Sequence, residues 1–210
     1  MFIIDFDDTL FDTHAFKRAR LEAVRELGVS EELYWQTYYV ARNSANGFFT
    51  YSDERHAEVL AEQGFDKIKI YTALNKVTES KAKEVLDKET FVFLEKLREF
   101  NVSMVLLSLG CPAYQELKVK NTGIDSYFDR LFMVEATKNA VLDELFANHS
   151  GPAWFINDKP VETKELSEQF PQLRAVMKLS PNFSEEDYIK TGLPYFKTLA
   201  EILAYVRTNF

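Results

Sequence analysis

Residues that can do chemistry follow the apolar segments of this sequence at four places. The acidic cluster Asp5-Phe6-Asp7-Asp8-Thr9 comes directly after residues 2–4, Ser108 after 102–107, Lys138 after 131–133, and Asn157 with Asp158 after 153–156. If these segments are neighbouring parallel strands, their carboxyl ends meet at one edge, which is where open α/β sheets bind ligands. The sequence therefore predicts a single site containing carboxylates, a hydroxyl group and a lysine.

The residue types of this site favour phosphate chemistry. Carboxylates that share a crevice repel each other and raise one another's pKa unless a cation lies between them. Oxygen ligands suit Mg²⁺ better than they suit a soft metal. A bound Mg²⁺, a lysine and a hydroxyl group together form a pocket for a dianion such as phosphate. We therefore expect Mg²⁺ as the cofactor.

The elements that position these residues can also be predicted. The apolar segments, with a fifth at 175–177, are continuous rather than alternating, which is typical of strands covered on both faces. Helical patterns lie between them, and Asn101 is expected to end one helix in a left-handed cap. Because strands and helices alternate after residue 101, right-handed crossovers would produce an α/β fold with a doubly wound parallel sheet.

The segment between the first two predicted strands is different, because it carries helical signals only. Ser30 and Ser52 indicate helix starts, while Gly28 and Gly64 indicate helix ends. In the first of these helices, one buried face is expected from the spacing of Phe16, Ala19, Ala23 and Leu27. These signals predict a small all-helical subdomain inserted after the first strand.

The four groups of polar residues resemble, in chain order, the four motifs of the haloacid dehalogenase superfamily. The matches are Asp5, Asp7 and Thr9 for Asp-x-Asp-x-Thr, Ser108 for the second motif, Lys138 for the third, and Asp158 with Glu162 for the fourth. Lys118 and Lys120 are alternatives for the third motif. The sequence departs from the family pattern at Asn157, where glycine is usual, and at Glu162, where aspartate is usual.

The resemblance extends over essentially the whole chain and implies a fold. Members have a Rossmann-like core, and many carry a mobile cap where this chain has its helical segment. The resemblance thus assigns residues 1–13 and 88–210 to the core and residues 14–87, called the helical insert below, to a cap.

The resemblance also implies roles for individual residues. Asp5 would attack phosphorus and become an aspartyl-phosphate, and Asp7 would act as the general acid and base. Asp5, the backbone carbonyl of Asp7, and Asp158 would hold Mg²⁺. The phosphoryl group would be bound by Thr9, Ser108 and Lys138, and Glu162 would orient Lys138 or a metal-bound water. Asp8 is expected to be a helix-start or turn residue that is exposed to water.

Asp7 also bears on the type of reaction. Family members that cleave carbon–halogen bonds lack an acid at this position, whereas phosphate hydrolases and phosphomutases have one. We therefore expect a phosphatase that acts on a small phosphorylated metabolite, with a phosphomutase as the alternative. In the helical insert, Arg42, Asn43 and Asn46 are candidates for selecting the substrate.

Composition and charge exclude other classes of function. The 210 residues carry a net charge of −8, which disfavours nucleic acid as a partner. No apolar stretch approaches the length of a membrane span, and the single Cys111 permits no internal disulfide. Because the first residues have no basic region and no long apolar region, we expect no signal peptide there. We expect a cytoplasmic monomer or homodimer. A receiver-like signalling domain or a catalytically retired scaffold is a less favoured hypothesis.

Overall fold

The protein is built around a parallel sheet of six strands. In a computed structural model, which describes residues 1–43, 50–147 and 149–210, the strand order is β3-β2-β1-β4-β5-β6. The strands are β1 (Phe2–Ile4), β2 (Met104–Leu109), β3 (Arg130–Val134), β4 (Ala153–Asn157), β5 (Leu173–Lys178) and β6 (Tyr195–Phe196). All five predicted strands are present, and the α/β fold with a doubly wound sheet is confirmed.

Strand register places the site residues side by side. Ile4 of β1 pairs with Leu106 of β2 on one side and with Ile156 of β4 on the other. The residues that follow these pairs, Asp5 and Asn157, therefore emerge at the same edge of the sheet. Ser108 reaches this edge on β2 two residues after Leu106.

Some helices pack on the two faces of the sheet, and others form the insert between β1 and β2. They are α1 (Thr13–Arg25), α2 (Glu31–Arg42), α3 (Asp53–Glu62), α4 (Lys67–Lys81), α5 (Thr90–Arg98), α6 (Pro112–Thr122), α7 (Asn139–Ala147), α8 (Pro160–Gln169), α9 (Glu185–Ile189) and α10 (Leu199–Asn209). A short 3₁₀ turn covers Asp125–Tyr127. Within the described ranges, no helix has the length and apolar character needed to cross a membrane.

Alternate residues of the central strand pack into different apolar clusters. Phe2 and Ile4 join one cluster with residues of α5, α6 and α10, whereas Ile3 joins another with residues of α7 and α8. Because successive side chains of a strand point to opposite faces, the two clusters lie on the two faces of the sheet. Burial on both faces explains why β1, β2 and β4 read as continuous apolar segments.

The four helices α1 to α4 share a third apolar cluster. It consists of Leu21, Val24, Val29, Tyr34, Ala57, Leu60, Ile70 and Leu74, all from this part of the chain. The predicted caps are present, since Ser30 and Ser52 each accept a backbone hydrogen bond at a helix start. Gly28 and Gly64 both adopt positive φ angles at helix ends.

The predicted buried face of α1 is only partly correct. Phe16 is buried, and Ala19 and Ala23 pack against the larger cluster of the sheet. Leu27, however, is 37% exposed, whereas Leu21 and Val24 are buried in the third cluster. Helix α1 lies between two apolar clusters, so a single stripe does not describe its burial.

Three C-terminal elements were not predicted: α9, β6 and α10. β6 is only two residues long and exists through its pairing with β5, so its own sequence carries no strand pattern. By contrast, α10 buries Leu199, Ile202, Leu203 and Val206 at helical spacing, a signal that is present in the sequence.

Candidate active site

Asp5 and Lys138 form a buried ion pair at the carboxyl edge of the sheet. The ammonium of Lys138 lies 2.6 Å from Oδ1 of Asp5, and both residues are almost fully buried. Burial raises the pKa of Asp5, and the charge of Lys138 opposes that rise. The structure thus places the third-motif candidate Lys138 directly on the predicted nucleophile.

Further side chains fix this pair. Thr9 donates its hydroxyl to Oδ2 of Asp5 at 3.3 Å. Lys138 also contacts Oδ1 of Asn157 at 3.2 Å and Oε2 of Glu162 at 3.0 Å. Burial disfavours the ammonium, but Asp5 and Glu162 hold the pKa of Lys138 above its ordinary value. Glu162 thus contacts Lys138, one of the two partners expected for it.

Asn157, the residue that departs from the family pattern, has a defined role in this network. Its Nδ2 donates to Oε2 of Glu162 and to Oγ1 of Thr163, both at 2.9 Å, while its Oδ1 faces Lys138. A glycine could not make these contacts. Asn157 therefore links the lysine to its second carboxylate.

Asp158 has the properties expected of a metal ligand. Its Oδ1 is buried and accepts no hydrogen bond from any described residue. Burial, and then the nearby charge of Asp5, raise the pKa of Asp158 well above that of an ordinary aspartate. A divalent cation would relieve both penalties. The donor set of Asp5, Asp158 and the Asp7 carbonyl therefore fits Mg²⁺, although within the described ranges no three or more His, Cys, Asp or Glu side chains are arranged so that they alone could hold a metal ion.

Asp7 is held by residues of α6. Lys118 donates to Oδ1 of Asp7 at 2.5 Å and Gln115 donates to Oδ2 at 2.6 Å. The hydroxyl group of Thr13 also donates a hydrogen bond to Oδ1 of Asp7 at 3.2 Å. Although burial acts in the opposite direction, the charge and hydrogen bond of Lys118 lower the pKa of Asp7. Lys118 thus pairs with the predicted acid and base, while Lys120 is exposed on the same helix.

Ser108 is connected to α6 by a hydrogen bond from Gln115. Nε2 of Gln115 lies 3.1 Å from the Ser108 hydroxyl and 2.9 Å from the carbonyl of Leu109. Gly110 permits this approach, since a Cβ there would lie 2.7 Å from Nε2 of Gln115. Gly110 also has a φ of 152°, a conformation that favours glycine. Gln115 therefore connects the second motif to Asp7.

Asp8 differs from the prediction of a water-exposed turn residue. It has a φ of 61°, is half-buried, and accepts a hydrogen bond from the backbone of Thr13 at 3.2 Å. Its other oxygen accepts from Asn182 at 2.7 Å. Asp8 thus belongs to a turn, as predicted, but it faces the protein, because the C-terminal part of the chain packs over it.

A cavity of about 410 Å³ adjoins these residues. Asp7, Asp8, Asp158 and Lys159 line it from the carboxyl edge of the sheet, and α6 contributes Tyr114, Gln115 and Lys118. The helical insert contributes Phe16, Lys17, Arg20, Tyr38, Arg42 and Tyr51, and the C-terminal part of the chain adds Asn182 and Phe183. The volume is in the lower part of the range for small-molecule sites.

The predicted substrate-selecting residues have different outcomes. Arg42 lines the cavity. Asn43 is exposed and is not among the residues that line it, and its carbonyl accepts a hydrogen bond from Arg55 at 2.6 Å. Asn46 lies outside the described residues.

Sequence reasoning missed Gln115, and it ranked Lys118 only as an alternative phosphate ligand. The two residues lie three positions apart and so share one face of α6. That spacing, one helix after the second motif, is a signal that the sequence contains. What it does not show is that this face is turned toward Asp7.

Comparisons with known proteins bear on the family and the fold. The family model for haloacid dehalogenase-like hydrolases matches residues 1–148. Among curated proteins, none matches this chain significantly.

Solved structures share the fold over nearly the whole chain. A protein from Burkholderia xenovorans assigned as a haloacid dehalogenase-like hydrolase has a TM-score of 0.74 at 17% identity, covering 97% of this chain and 94% of its own. A Thermotoga maritima protein assigned as a beta-phosphoglucomutase has a TM-score of 0.69 at 14% identity, with coverages of 100% and 99%. L-2-haloacid dehalogenase from Xanthobacter autotrophicus has a TM-score of 0.64 at 15% identity, covering 99% of this chain and 98% of its own. At such low identities these likenesses establish the fold alone.

Proposed function

This chain belongs to the haloacid dehalogenase-like hydrolase family, and on that premise we propose that it is a Mg²⁺-dependent phosphatase of a small phosphorylated metabolite. The observation that carries the proposal is the carboxylate of Asp7 in the wall of the cavity, two residues from the buried Asp5. An alkoxide leaving group needs a proton, whereas a halide does not. Asp7 therefore favours phosphoryl transfer over dehalogenation.

In the first step, a carboxylate oxygen of Asp5 attacks phosphorus, and the bond between phosphorus and the ester oxygen breaks. Asp7 gives a proton to the departing oxygen, so that an alcohol leaves. Lys118 favours the ionised form of Asp7 when the cavity contains no substrate. A phosphate dianion beside Asp7 acts in the opposite direction, because a nearby negative charge raises a carboxyl pKa.

In the second step, Asp7 accepts a proton from water while that water attacks phosphorus. The bond from Asp5 to phosphorus breaks, and inorganic phosphate and the Asp5 carboxylate are regenerated. Lys138 and Ser108 bind the phosphoryl oxygens throughout. Glu162 and Asn157 keep Lys138 in place, because both contact its ammonium.

Mg²⁺, held by Asp5, Asp158 and the carbonyl of Asp7, would neutralise charge on the transferring phosphoryl group. The unpartnered Oδ1 of Asp158 supports this assignment. In this proposal the helical insert is the cap, since it lines part of the cavity beside Asp7 and would shield a bound substrate from bulk water.

The proposal is tested by following phosphate release from an aryl phosphate with Mg²⁺ and with a chelator. We expect metal-dependent turnover in the wild type and a loss of at least about a thousandfold in Asp5→Asn. Asp143→Asn, an exposed aspartate on α7, is the matched control and should retain full activity. Equal activity of Asp5→Asn and the wild type would contradict the proposal.

The same assay on natural phosphomonoesters separates a phosphatase from a phosphomutase. A phosphatase releases one inorganic phosphate for each substrate consumed. A phosphomutase instead returns the phosphoryl group to its substrate and requires a bisphosphate for turnover.

A further inference from the structure

Lys159 is a lysine at the carboxyl edge of the sheet that the proposed mechanism does not use. It directly follows Asp158 and is the N-cap residue of α8. The hydroxyl group and the backbone N–H of Thr163 both donate to the carbonyl of Lys159, at 2.6 and 3.0 Å. The main chain of Lys159 is therefore fixed beside the site, while the residue as a whole is only half-buried.

Lys159 lies at the junction of two cavities. The first is the cavity of about 410 Å³ that Asp7 and Asp158 line. The second has a volume of about 460 Å³, and Lys138 is among the residues that line it. Lys159 lines both cavities. It therefore adjoins the carboxylates of the first cavity as well as the lysine that holds the phosphoryl group in the proposed function.

The charge of Lys159 is not compensated by a direct contact. Two other lysines of this edge form ion pairs, Lys118 with Asp7 and Lys138 with Asp5. The ammonium of Lys159, in contrast, forms no ion pair or hydrogen bond with any residue that the structure describes. A cation at a helix N-terminus is also opposed by the helix dipole. An anion bound beside Lys159 would compensate this charge.

The charge of Lys159 acts on the carboxylates of the site. Burial raises the pKa of Asp5 and of Asp158, and the charge of Lys159 opposes the rise at both residues. The same positive charge disfavours a divalent cation between these carboxylates and attracts a phosphate dianion. Lys159 thus acts in opposite directions on the two ligands that the proposed function requires.

We propose that Lys159 binds the phosphoryl group of the substrate together with Lys138, and that its charge lowers the affinity of the phosphate-free site for Mg²⁺. The inference rests on the proposed function, because it assumes that the phosphoryl group lies beside Asp5 and Lys138. A phosphate dianion has enough acceptor oxygens to contact two ammonium groups at once, and such charge-assisted contacts are strong. The inference gives a role to a residue that the four sequence motifs leave unassigned.

The test measures the two affinities separately on the intact protein. The midpoint of thermal unfolding is followed as Mg²⁺ is added alone, and as inorganic phosphate is added at saturating Mg²⁺. Lys159→Gln should bind phosphate about tenfold more weakly, the size expected for one charge-assisted contact. It should bind Mg²⁺ about threefold more tightly, because a repelling charge is removed. A damaged fold would not produce these opposite signs.

Three further variants make the result specific. Lys159→Arg keeps the charge and should keep both affinities of the wild type. Lys164→Gln removes an exposed lysine of α8 that lines neither cavity, and it should also leave both affinities unchanged. Lys17→Gln removes a cation from the insert side of the first cavity and should weaken phosphate binding much less than Lys159→Gln does.

Several results would overturn the inference. One is an equal phosphate affinity of the wild type and Lys159→Gln, and another is a Mg²⁺ affinity that does not rise in this variant. An equal loss of phosphate binding in Lys17→Gln would indicate the general charge of the cavity rather than a contact with Lys159.

Neither titration requires turnover, which keeps the inference separate from the proposed function. A phosphatase whose phosphate affinity is independent of Lys159 refutes the inference alone. A protein that hydrolyses no phosphomonoester but binds phosphate through Lys159 refutes the proposed function alone.

Discussion

Asp7 illustrates how single residues of this site depend on partners outside the sequence motifs. One of its carboxylate oxygens accepts hydrogen bonds from Lys118 and Thr13, and the other accepts one from Gln115. A carboxylate held in this way has a fixed direction, which matters because small displacements of a catalytic group are costly. The motif supplies Asp7, and α6 determines where its carboxylate lies.

Three lysines that compete for one role in the sequence have distinct roles in the structure, so their removal should differ. Lys138→Met should abolish phosphate release, because Asp5 loses its buried counter-ion. Lys118→Met should lower kcat/KM by about tenfold to a hundredfold, since Asp7 loses a positioning contact. Lys120→Met, exposed on the same helix as Lys118, is the control and should have no effect. Activity assays on variants shown by circular dichroism to be folded measure these differences.

A different order of effects would contradict the assignment. If Lys120→Met reduced activity more than Lys118→Met, the interpretation of α6 as the helix that holds Asp7 would be wrong.

His56 permits a prediction about pH at the level of one residue. It is fully buried between Thr37 and Tyr51, with Tyr34 and Tyr38 packed against its ring and the charge of Arg20 nearby. Burial, and then Arg20, lower the pKa of His56 to about 3. In the unfolded chain His56 therefore takes up a proton near pH 6.5, whereas in the folded chain it stays neutral at that pH.

The sign of the effect follows from this difference. The protein should lose stability as the pH falls below 6.5, and His56 alone should account for about 2 kcal/mol between pH 7 and pH 5. Urea unfolding at both pH values measures the loss. His56→Gln should show a flatter dependence, and His14→Gln controls for the removal of a histidine. A wild type whose stability does not fall in this window would contradict the prediction.

At the scale of elements, the junction between β2 and α6 is the point where backbone conformation and catalysis meet. Gly110→Ala should lower both stability and activity, because the new Cβ displaces Gln115 and φ is unfavourable for alanine. We expect a loss of about 1–3 kcal/mol and a reduced kcat. Gly123→Ala is the matched control for Gly110→Ala. Gly123 also has a positive φ, but a Cβ added there would have no heavy atom within 4 Å.

The control distinguishes backbone strain from the effect on the site. Gly123→Ala should lose stability but keep its kcat. Denaturant unfolding and aryl phosphate turnover are measured on both variants, and an unimpaired kcat in Gly110→Ala would show that Gln115 does not position Asp7.

The elements were largely predictable from the sequence, and particular residues show why. β1, β2 and β4 are buried on both faces, so their apolar runs were unambiguous. Asn101 lies three residues beyond the end of α5 and has the predicted left-handed conformation, with a φ of 53°, and its N–H donates to the carbonyl of Arg98. β6 was not predictable, because two residues gain strand structure only by pairing with β5.

The candidate site was predictable to the extent that it follows strand ends. Asp5 and Asp158 directly follow β1 and β4, Ser108 is the second-last residue of β2, and Lys138 directly precedes α7. Gln115 and Lys17 depend on how α6 and α1 approach the sheet, and no local pattern encodes that approach.

At the scale of the whole molecule, a buried charge network joins the helical insert to the core. Arg20 of α1 forms an ion pair with Asp53 of α3 and donates to Thr78 of α4 at 3.2 Å. It also donates to the hydroxyl of Tyr114 on α6 at 2.6 Å. The network thus connects three helices of the insert to the helix that holds Asp7.

Removing one charge from this network should be costly. Asp53→Asn leaves a buried guanidinium without its counter-ion and should lower the free energy of unfolding by about 3–5 kcal/mol. Replacing both partners, as in Arg20→Met with Asp53→Leu, should recover much of that loss, because neither charge is then buried. Urea unfolding is the measurement.

An exposed ion pair provides the control. Glu58 pairs with Lys67 on the surface of the insert, and both side chains are about half exposed. Glu58→Gln should therefore leave the unfolding curve unchanged. A comparable loss in Glu58→Gln and Asp53→Asn would contradict the role given to the buried network.

The central claim, that Asp5 is a nucleophile toward phosphorus, is tested most directly by isolating the covalent intermediate. The wild type is mixed with Mg²⁺ and an aryl phosphate, quenched in acid during turnover, and digested for mass spectrometry. We expect one phosphoryl group on Asp5, removed by hydroxylamine and absent from Asp5→Asn. Turnover with the phosphoryl group on another residue, or with no phosphoenzyme at any quench time, would contradict it.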